Sequence, residues 1–233
     1  MLGIVVSLPW ELRSLTDQTI PLGAWRSITK NTLVALSGIG AERAYAAGSV
    51  LISEGATALL SWGFAAGLED SMSSGCLILP RRIIGTRGDV HWVSTEWHRR
   101  LHGTLKSQQP ISTDVLVESA AVVRTSAEKR ALSERTLAAA TDMESAAQAR
   151  LAEEHRLPFL AIRAIVDTPS SDIPDNVLKA LDPHGRISVG KLLAGILLLP
   201  TDCIRIARLG IQLNAAQRAL RKARESVLDA SRF

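Results

Sequence analysis

Apolar residues in this chain gather in short runs, at 2–8, 32–37, 58–62, 75–79, 114–117 and 159–166, each of strand length and set apart by polar or turn-forming stretches. Several of the intervals carry the wider spacing of helices, at 41–54, 127–138, 143–155 and 189–199. Pro158 supplies a stop between the helix that begins near Asp142 and the strand that follows. Strands alternating with helices of this length predict an α/β fold. One domain with a central mixed, twisted sheet flanked by helices is expected over residues 1–200, and a basic amphipathic helical extension of it over 201–233. The Asp, Ser and Pro residues of 168–183 read as a loop beside the end of the last strand. No internal repeat or low-complexity stretch interrupts the pattern.

At 233 residues, 46% hydrophobic and 21% charged, the chain can bury one sizeable core and is too apolar for disorder. Cys76 and Cys203 stand far apart in no metal or redox spacing, and predict buried thiols in a reducing cytoplasm. The N-terminal run reads as a strand and not as a secretory signal, which agrees with a cytoplasmic place. No stretch holds the roughly 20 unbroken apolar residues of a bilayer span. His91, His98, His102, His155 and His184 are not spaced as metal ligands. The net charge of +4 is carried entirely by residues 201–233, where seven basic residues stand against three acids. A nucleic-acid surface would more often run across the fold, so no nucleic-acid partner is expected. The apolar run 192–199 is followed by Ile204, Ile206, Leu209, Ile211 and Leu213 among Arg205, Arg208 and Arg218. That pattern suits an anionic membrane surface or a lipid tail, and equally a core helix with a solvated tail, or a subunit interface.

In sheets of this class, ligands sit outside the carboxyl ends of the strands. Glu11 follows the first run, Gly38-Ile39-Gly40 the second, Gly63 the third and Asp167 the last, so four segments deliver candidate groups to one sheet edge. Asp142-Met143-Glu144-Ser145 adds a carboxylate at the expected start of a helix. A buried Asp167 with a raised pKa suits protonation of a leaving group. Glu144 suits accepting hydrogen bonds from a sugar's hydroxyls and stabilising a cationic sugar, and Met143 offers a soft apolar face. Each also has a plainer reading: Asp167 as a turn or cap residue, Glu144 as a complement to a helix dipole, Met143 as core. Asp142 reads as such a dipole partner, or gives way to Thr141 as N-cap.

These residues carry a resemblance. Asp142-Met143-Glu144-Ser145-Ala146-Ala147 is similar to the Glu-Met-Glu-Ala-Ala element of methylthioadenosine/adenosylhomocysteine nucleosidases, and Arg163-Ala164-Ile165-Val166-Asp167 to their Arg-Ala-Ile-Ser-Asp. The opening strand with Glu11, the Ser37-Gly38-Ile39-Gly40 turn and the stretch from Ser61 to Leu68 follow the same order. The chain therefore resembles the purine and uridine phosphorylase superfamily, which cleaves N-glycosidic bonds of nucleosides. The resemblance implies Asp167 as the acid at purine N7, Glu144 as the ribose-hydroxyl ligand, Met143 against the ribose and Glu11 orienting the nucleophile. Val122 and Val123 fall where the family lines its purine pocket, although ordinary core packing accounts for them equally. No cofactor or metal is implied, and a homodimer is.

Departures concern the nucleophile. Val166 stands in place of a serine, Phe64 in place of a small hydroxyl residue, and Asp142 in place of Glu. Phosphorolysis needs an anion site, and Gly40 at a helix start with Arg43 one turn in suits inorganic phosphate as co-substrate. Arg43 as an ordinary solvated residue remains the alternative. Beyond Asp167 the layout resembles the hopanoid-associated phosphorylases, which implies adenosylhopane, a 5′-substituted adenosine, as substrate; contact with the inner membrane face is expected from the basic C-terminal tail. The expected function is phosphorolysis of such a nucleoside with release of adenine. A hydrolytic nucleosidase and a non-catalytic nucleoside or lipid binder are the alternatives.

Overall fold

The computed structural model describes residues 1–173 and 202–229, with eleven strands and six helices among them. The helix expected at 189–199, most of the 168–183 loop, His184 and the side chain of Cys203 lie outside the described residues. In chain order the elements are β1 (Leu2–Val6), α1 (Pro9–Leu15), β2 (Trp25–Thr29), β3 (Thr32–Leu36), α2 (Ala41–Ser53), β4 (Ala58–Gly67), β5 (Leu77–Ile78), β6 (Arg82–Ile84) and β7 (Val90–Trp92). There follow α3 (Thr95–Leu105), β8 (Ile111–Ser112), β9 (Leu116–Glu118), α4 (Ser126–Thr136), β10 (Ala140–Asp142), α5 (Ser145–Glu154), β11 (Phe159–Ile165) and α6 (Asp202–Asp229). The expected single α/β domain with a mixed sheet flanked by helices, and a helix at its C-terminal end, is what forms.

The centre of the sheet is β4. It lies parallel between β1 and β11, with β3 beyond β1 and the antiparallel β2 at that edge. Every residue of β1, β3 and β11 is buried, as expected of parallel strands covered on both faces. The run expected to end at Trp62 continues to Gly67, because Gly63, Phe64 and Ala65 keep pairing with Arg163, Ala164 and Ile165 of β11. Gly63 is therefore inside a strand and not in the turn after it. The end of β4 then pairs antiparallel with β10, which joins β9, β6 and β7 to the sheet.

Placing β10 corrects two expectations. Residues 140–142, read as the approach to a helix, instead pair parallel with β9. Asp142 thus ends a strand, and α5 begins only at Ser145 with Glu144 in the capping position (φ −140°, ψ −24°). Helices α1 and α3 escaped the sequence reading. The seven residues of α1 are too few to show a period, whereas α3 buries Trp97, Leu101 and Leu105 at regular four-residue spacing.

The basic C-terminal segment is a docked helix. Ala216, Ala219, Leu220, Ala223 and Val227 of α6 are buried at i, i+3, i+4, i+7 and i+11, against α1, α3, β5 and β11. Gln217 Nε2 donates to Trp10 O at 3.2 Å, and Gln109 Nε2 to Ala219 O at 3.1 Å. Cys76 is a buried free thiol. No helix among the described residues is long and apolar enough to cross a membrane.

A buried side-chain hydrogen bond helps tie the central strand to α1. Trp62 Nε1, fully buried on β4, donates to Ser14 Oγ at 2.9 Å, and Ser14 Oγ donates in turn to Glu11 O at 2.6 Å. Ser14→Ala leaves the indole N–H without a partner and should cost about 1–3 kcal/mol. Urea titration would read this, and an unchanged midpoint would refute it.

Candidate active site

Arg163 sits in the middle of β11, 2% exposed. Its Nε donates to Asp142 Oδ2 at 2.7 Å, and its Nη2 donates to Ser61 Oγ at 2.6 Å and Ser145 Oγ at 3.0 Å. Ser145 Oγ also donates to Asp142. Burial works against the guanidinium's charge, yet Asp142, Glu11 and Glu144 together hold its pKa above the ordinary value. One fully buried cation is thus bonded to Asp142 and acts through space on Glu144 of the same segment and on Glu11 of another.

Glu11, third residue of α1, reaches back over the helix start. Its Oε2 accepts the N–H groups of Ser7 and Leu8 at 2.8 Å each, and its Oε1 accepts Phe64 N–H at 2.8 Å. Burial pushes its pKa up, while Arg163 and the three backbone donors pull it down. The carboxyl lies directly against Gly63, where a Cβ would stand 2.3 Å from Glu11 Oε1. Only glycine fits there.

Glu144 Oε1 accepts Gly40 N–H at 2.9 Å, and its Oε2 accepts its neighbour Met143 N–H at 3.3 Å. Gly40 can present its N–H this way because it holds a φ of 106°. Burial, then the nearby Asp142 and Glu11, raise Glu144 to about 8, with Arg163 and the Gly40 N–H opposing. At neutral pH its carboxyl is mainly protonated when the site is empty.

Asp167 stands just beyond β11, 5% exposed. Burial raises its pKa, opposed by Lys129. Lys129 Nζ lies 2.5 Å from Asp167 Oδ2, a close ion-pair contact.

These groups border one cavity of about 270 Å³. Glu11, Glu144 and Asp167 face it together with Met143, Val122 and Val123. The rest of its wall is mainly apolar, with Trp10, Ile39, Phe64, Val166, and Leu209 and Leu213 from α6. Apolar walls of this kind raise the pKa of the carboxyl groups they bury. Gly63 and Gly40 act from behind, as seats for Glu11 and Glu144. Arg43 is not brought in: it is exposed, lies against Gly38 and lines a separate groove with Leu22 and Trp25. The anion site expected from Gly40 and Arg43 is therefore not assembled, since Gly40 N–H serves Glu144 and Arg43 turns outward.

Five contributors were not assigned to the site from the sequence. Arg163 had a legible signal, a lone charge in an otherwise apolar run. Asp142 had only a cap-like position, and Lys129 none, because its burial depends on the 168–171 turn folding over α4. Leu209 and Leu213 were visible as apolar positions, but not as cavity wall. Among the described residues, no group of three or more His, Cys, Asp or Glu is arranged to hold a metal.

Buried acids converging on one cavity at the carboxyl ends of β1, β4 and β11 are the working parts of an enzyme. The chain belongs to the phosphorylase superfamily, whose family model matches residues 2–197. No curated protein sequence matches it. Among solved structures it is similar to the futalosine hydrolase of Helicobacter pylori, at 16% identity and TM-score 0.75, over 98% of this chain and 97% of that one. The 5′-methylthioadenosine/S-adenosyl homocysteine nucleosidase of Helicobacter pylori is similar at 16% identity and TM-score 0.74, over 98% and 97%. The corresponding nucleosidase of Neisseria meningitidis, in complex with methylthio-immucillin-A, is similar at 16% identity and TM-score 0.72, over 97% of each. At these identities the likeness concerns the fold.

The raised Glu144 has a consequence for stability. In the folded protein it keeps a proton that the unfolded chain releases near the ordinary Glu value, so its contribution favours folding at low pH and is lost as pH rises towards about 8. Wild type should therefore lose melting temperature relative to Glu144→Gln between about pH 5 and about pH 8. Parallel curves for the two proteins would exclude this.

Proposed function

We propose that the protein hydrolyses the N-glycosidic bond of a 5′-substituted adenosine and releases adenine. The supporting observation is the meeting of Glu11, Glu144 and Asp167 on one apolar-walled cavity. In this reading Asp167, whose pKa burial raises, gives its proton to N7 of the departing purine. Val122 and Val123 lie against the base and Met143 against the ribose. Glu144 accepts hydrogen bonds from the ribose hydroxyls, and the growing positive charge on the sugar draws it towards its ionised form. Glu11, held by three backbone N–H groups, orients a water molecule at the anomeric carbon and accepts its proton.

Water is favoured over phosphate because the expected anion site lacks its cation: Arg43 is exposed and outside the cavity wall. The similar solved structures are, by name, a hydrolase and nucleosidases.

A second reading rests on α6. Leu209 and Leu213 extend the apolar wall, which suits a bulky apolar 5′ group, and adenosylhopane cleaved by phosphorolysis in hopanoid synthesis is such a case. Ile204 (72% exposed) and Ile211 (68% exposed), beside the exposed Arg205 and Arg208, would then face an anionic bilayer. A homodimer fits either reading.

Adenine release from methylthioadenosine and from adenosylhopane, each with and without phosphate, separates the readings. Hydrolysis should proceed at the same rate without phosphate and yield a free sugar; a sugar 1-phosphate formed only with phosphate would favour the second reading. Binding of both nucleosides without release would eliminate catalysis. Asp167→Asn should keep the fold and lower turnover by about 10²–10⁴.

A further inference from the structure

Lys129 is 0% exposed, on a helix whose neighbouring residues are mostly solvated. A lysine loses its hydration on such burial and stays only where other groups replace it. Here the replacements are Thr168 O at 2.8 Å and Ser171 O at 2.7 Å, which accept from Nζ, and the Asp167 carboxylate oxygen at 2.5 Å. All three belong to the turn that carries Asp167 away from β11. The helix start is fixed independently, since Thr125 and Glu128 cap it reciprocally. Lys129 is thus held by its own helix and grips the turn opposite.

We propose that Lys129 is the positioning residue for Asp167: it fixes the Oδ2 edge, so that Oδ1 addresses the departing base, and its ammonium compensates the charge that proton donation leaves behind. This rests on the hydrolytic reading above. In that reaction water adds to C1′ as the C1′–N9 bond breaks, and the electron pair of that bond leaves with the purine. The proton on Asp167 goes to N7. The surplus proton of the water passes to Glu11 and on to solvent, from which Asp167 is later reprotonated. Between those steps Asp167 is a buried carboxylate, and Lys129 is the cation in contact with it. Without that cation the same apolar walls that raise the pKa of Asp167 would make it too weak an acid.

The other charged groups nearby are Asp172 on the same turn and Arg205 and Arg208 on α6, which border a polar cavity of about 210 Å³ on the far side of Asp167. Arg205 and Lys129 both act on Asp172, holding its pKa below the ordinary value after the Ser126 N–H, so that pair of charges is largely local. Of these groups, Lys129 alone touches Asp167.

The test compares Lys129→Met and Lys129→Arg with wild type, through the pH dependence of kcat and KM and the carbon-13 titration of the Asp167 carboxyl. Turnover requires the protonated acid, so it falls as pH rises through the pKa of Asp167. Removing the ammonium should move that fall, and the titration, up by about one unit or more. It should lower kcat about tenfold while KM changes little. Lys129→Arg should restore both positions. A purely structural lysine would instead lower melting temperature and active fraction in Lys129→Met, with the pH profile and titration unmoved, and that result overturns the proposal. Failure of the reaction assignment looks different: Asp167→Asn would turn over like wild type, whatever Lys129 does to the titration.

Discussion

A guanidinium buried in the middle of a β-strand must obtain from its neighbours the solvation that water would have supplied, and Arg163 obtains it from three elements at once. Asp142 at the end of β10, Ser61 on β4 and Ser145 at the start of α5 all turn toward it. Ion pairs this deep give weak evidence of net stabilisation, because desolvation offsets the attraction. Their worth here is geometric. With Asp142 bound to Arg163, β10 runs back along the end of β4, and Glu144 is delivered two residues later with Gly40 N–H on its carboxyl. The same positive charge opposes the effect of burial on both Glu11 and Glu144. Fold and site therefore share one cation.

Around that cation the walls are apolar, and the two features act in opposite directions on each acid. Burial raises Glu11, Glu144 and Asp167, while a different compensation limits each: three backbone donors with Arg163 for Glu11, Arg163 with Gly40 N–H for Glu144, and Lys129 for Asp167. Similar side chains in one cavity thus stand in different electrostatic settings, set by what lies behind each. Phe64 and Val166, where the resembled nucleosidases carry hydroxyl residues, add to the apolar character of the wall. Helix α6 adds Leu209 and Leu213, so the segment with all of the chain's excess charge contributes only apolar side chains to this cavity.

Much of the candidate site was legible before the fold. Glu11, Val122, Val123, Met143, Glu144 and Asp167, read from the sequence in that chain order, all border one cavity. Arg43 was misread because a helix start and a nearby arginine define an anion site only if both point the same way. Rotation along α2 carries the arginine outward, and Glu144 takes the free N–H. Asp142 was misread because a three-residue strand has no period to detect. It exists because β9 and the end of β4 are there to pair with it.

What the sequence by itself determined is whatever depends on neighbours along the chain: the alternation of strand and helix, the fully apolar β1, β3 and β11, and the acids at strand and helix ends. These are local properties, set by periodicity and by the residues that start and stop each element. Only the tertiary structure decided which charges are buried and with whom. Lys129 is indistinguishable in sequence from the solvated Arg130 beside it, and becomes a partner of Asp167 only when the 168–171 turn closes over α4. The strand that holds Glu144 in place, the glycine that seats Glu11 and the helix that walls the cavity likewise come from distant parts of the chain. Burial and charge compensation depend on three-dimensional neighbours, and no spacing along a single chain encodes them.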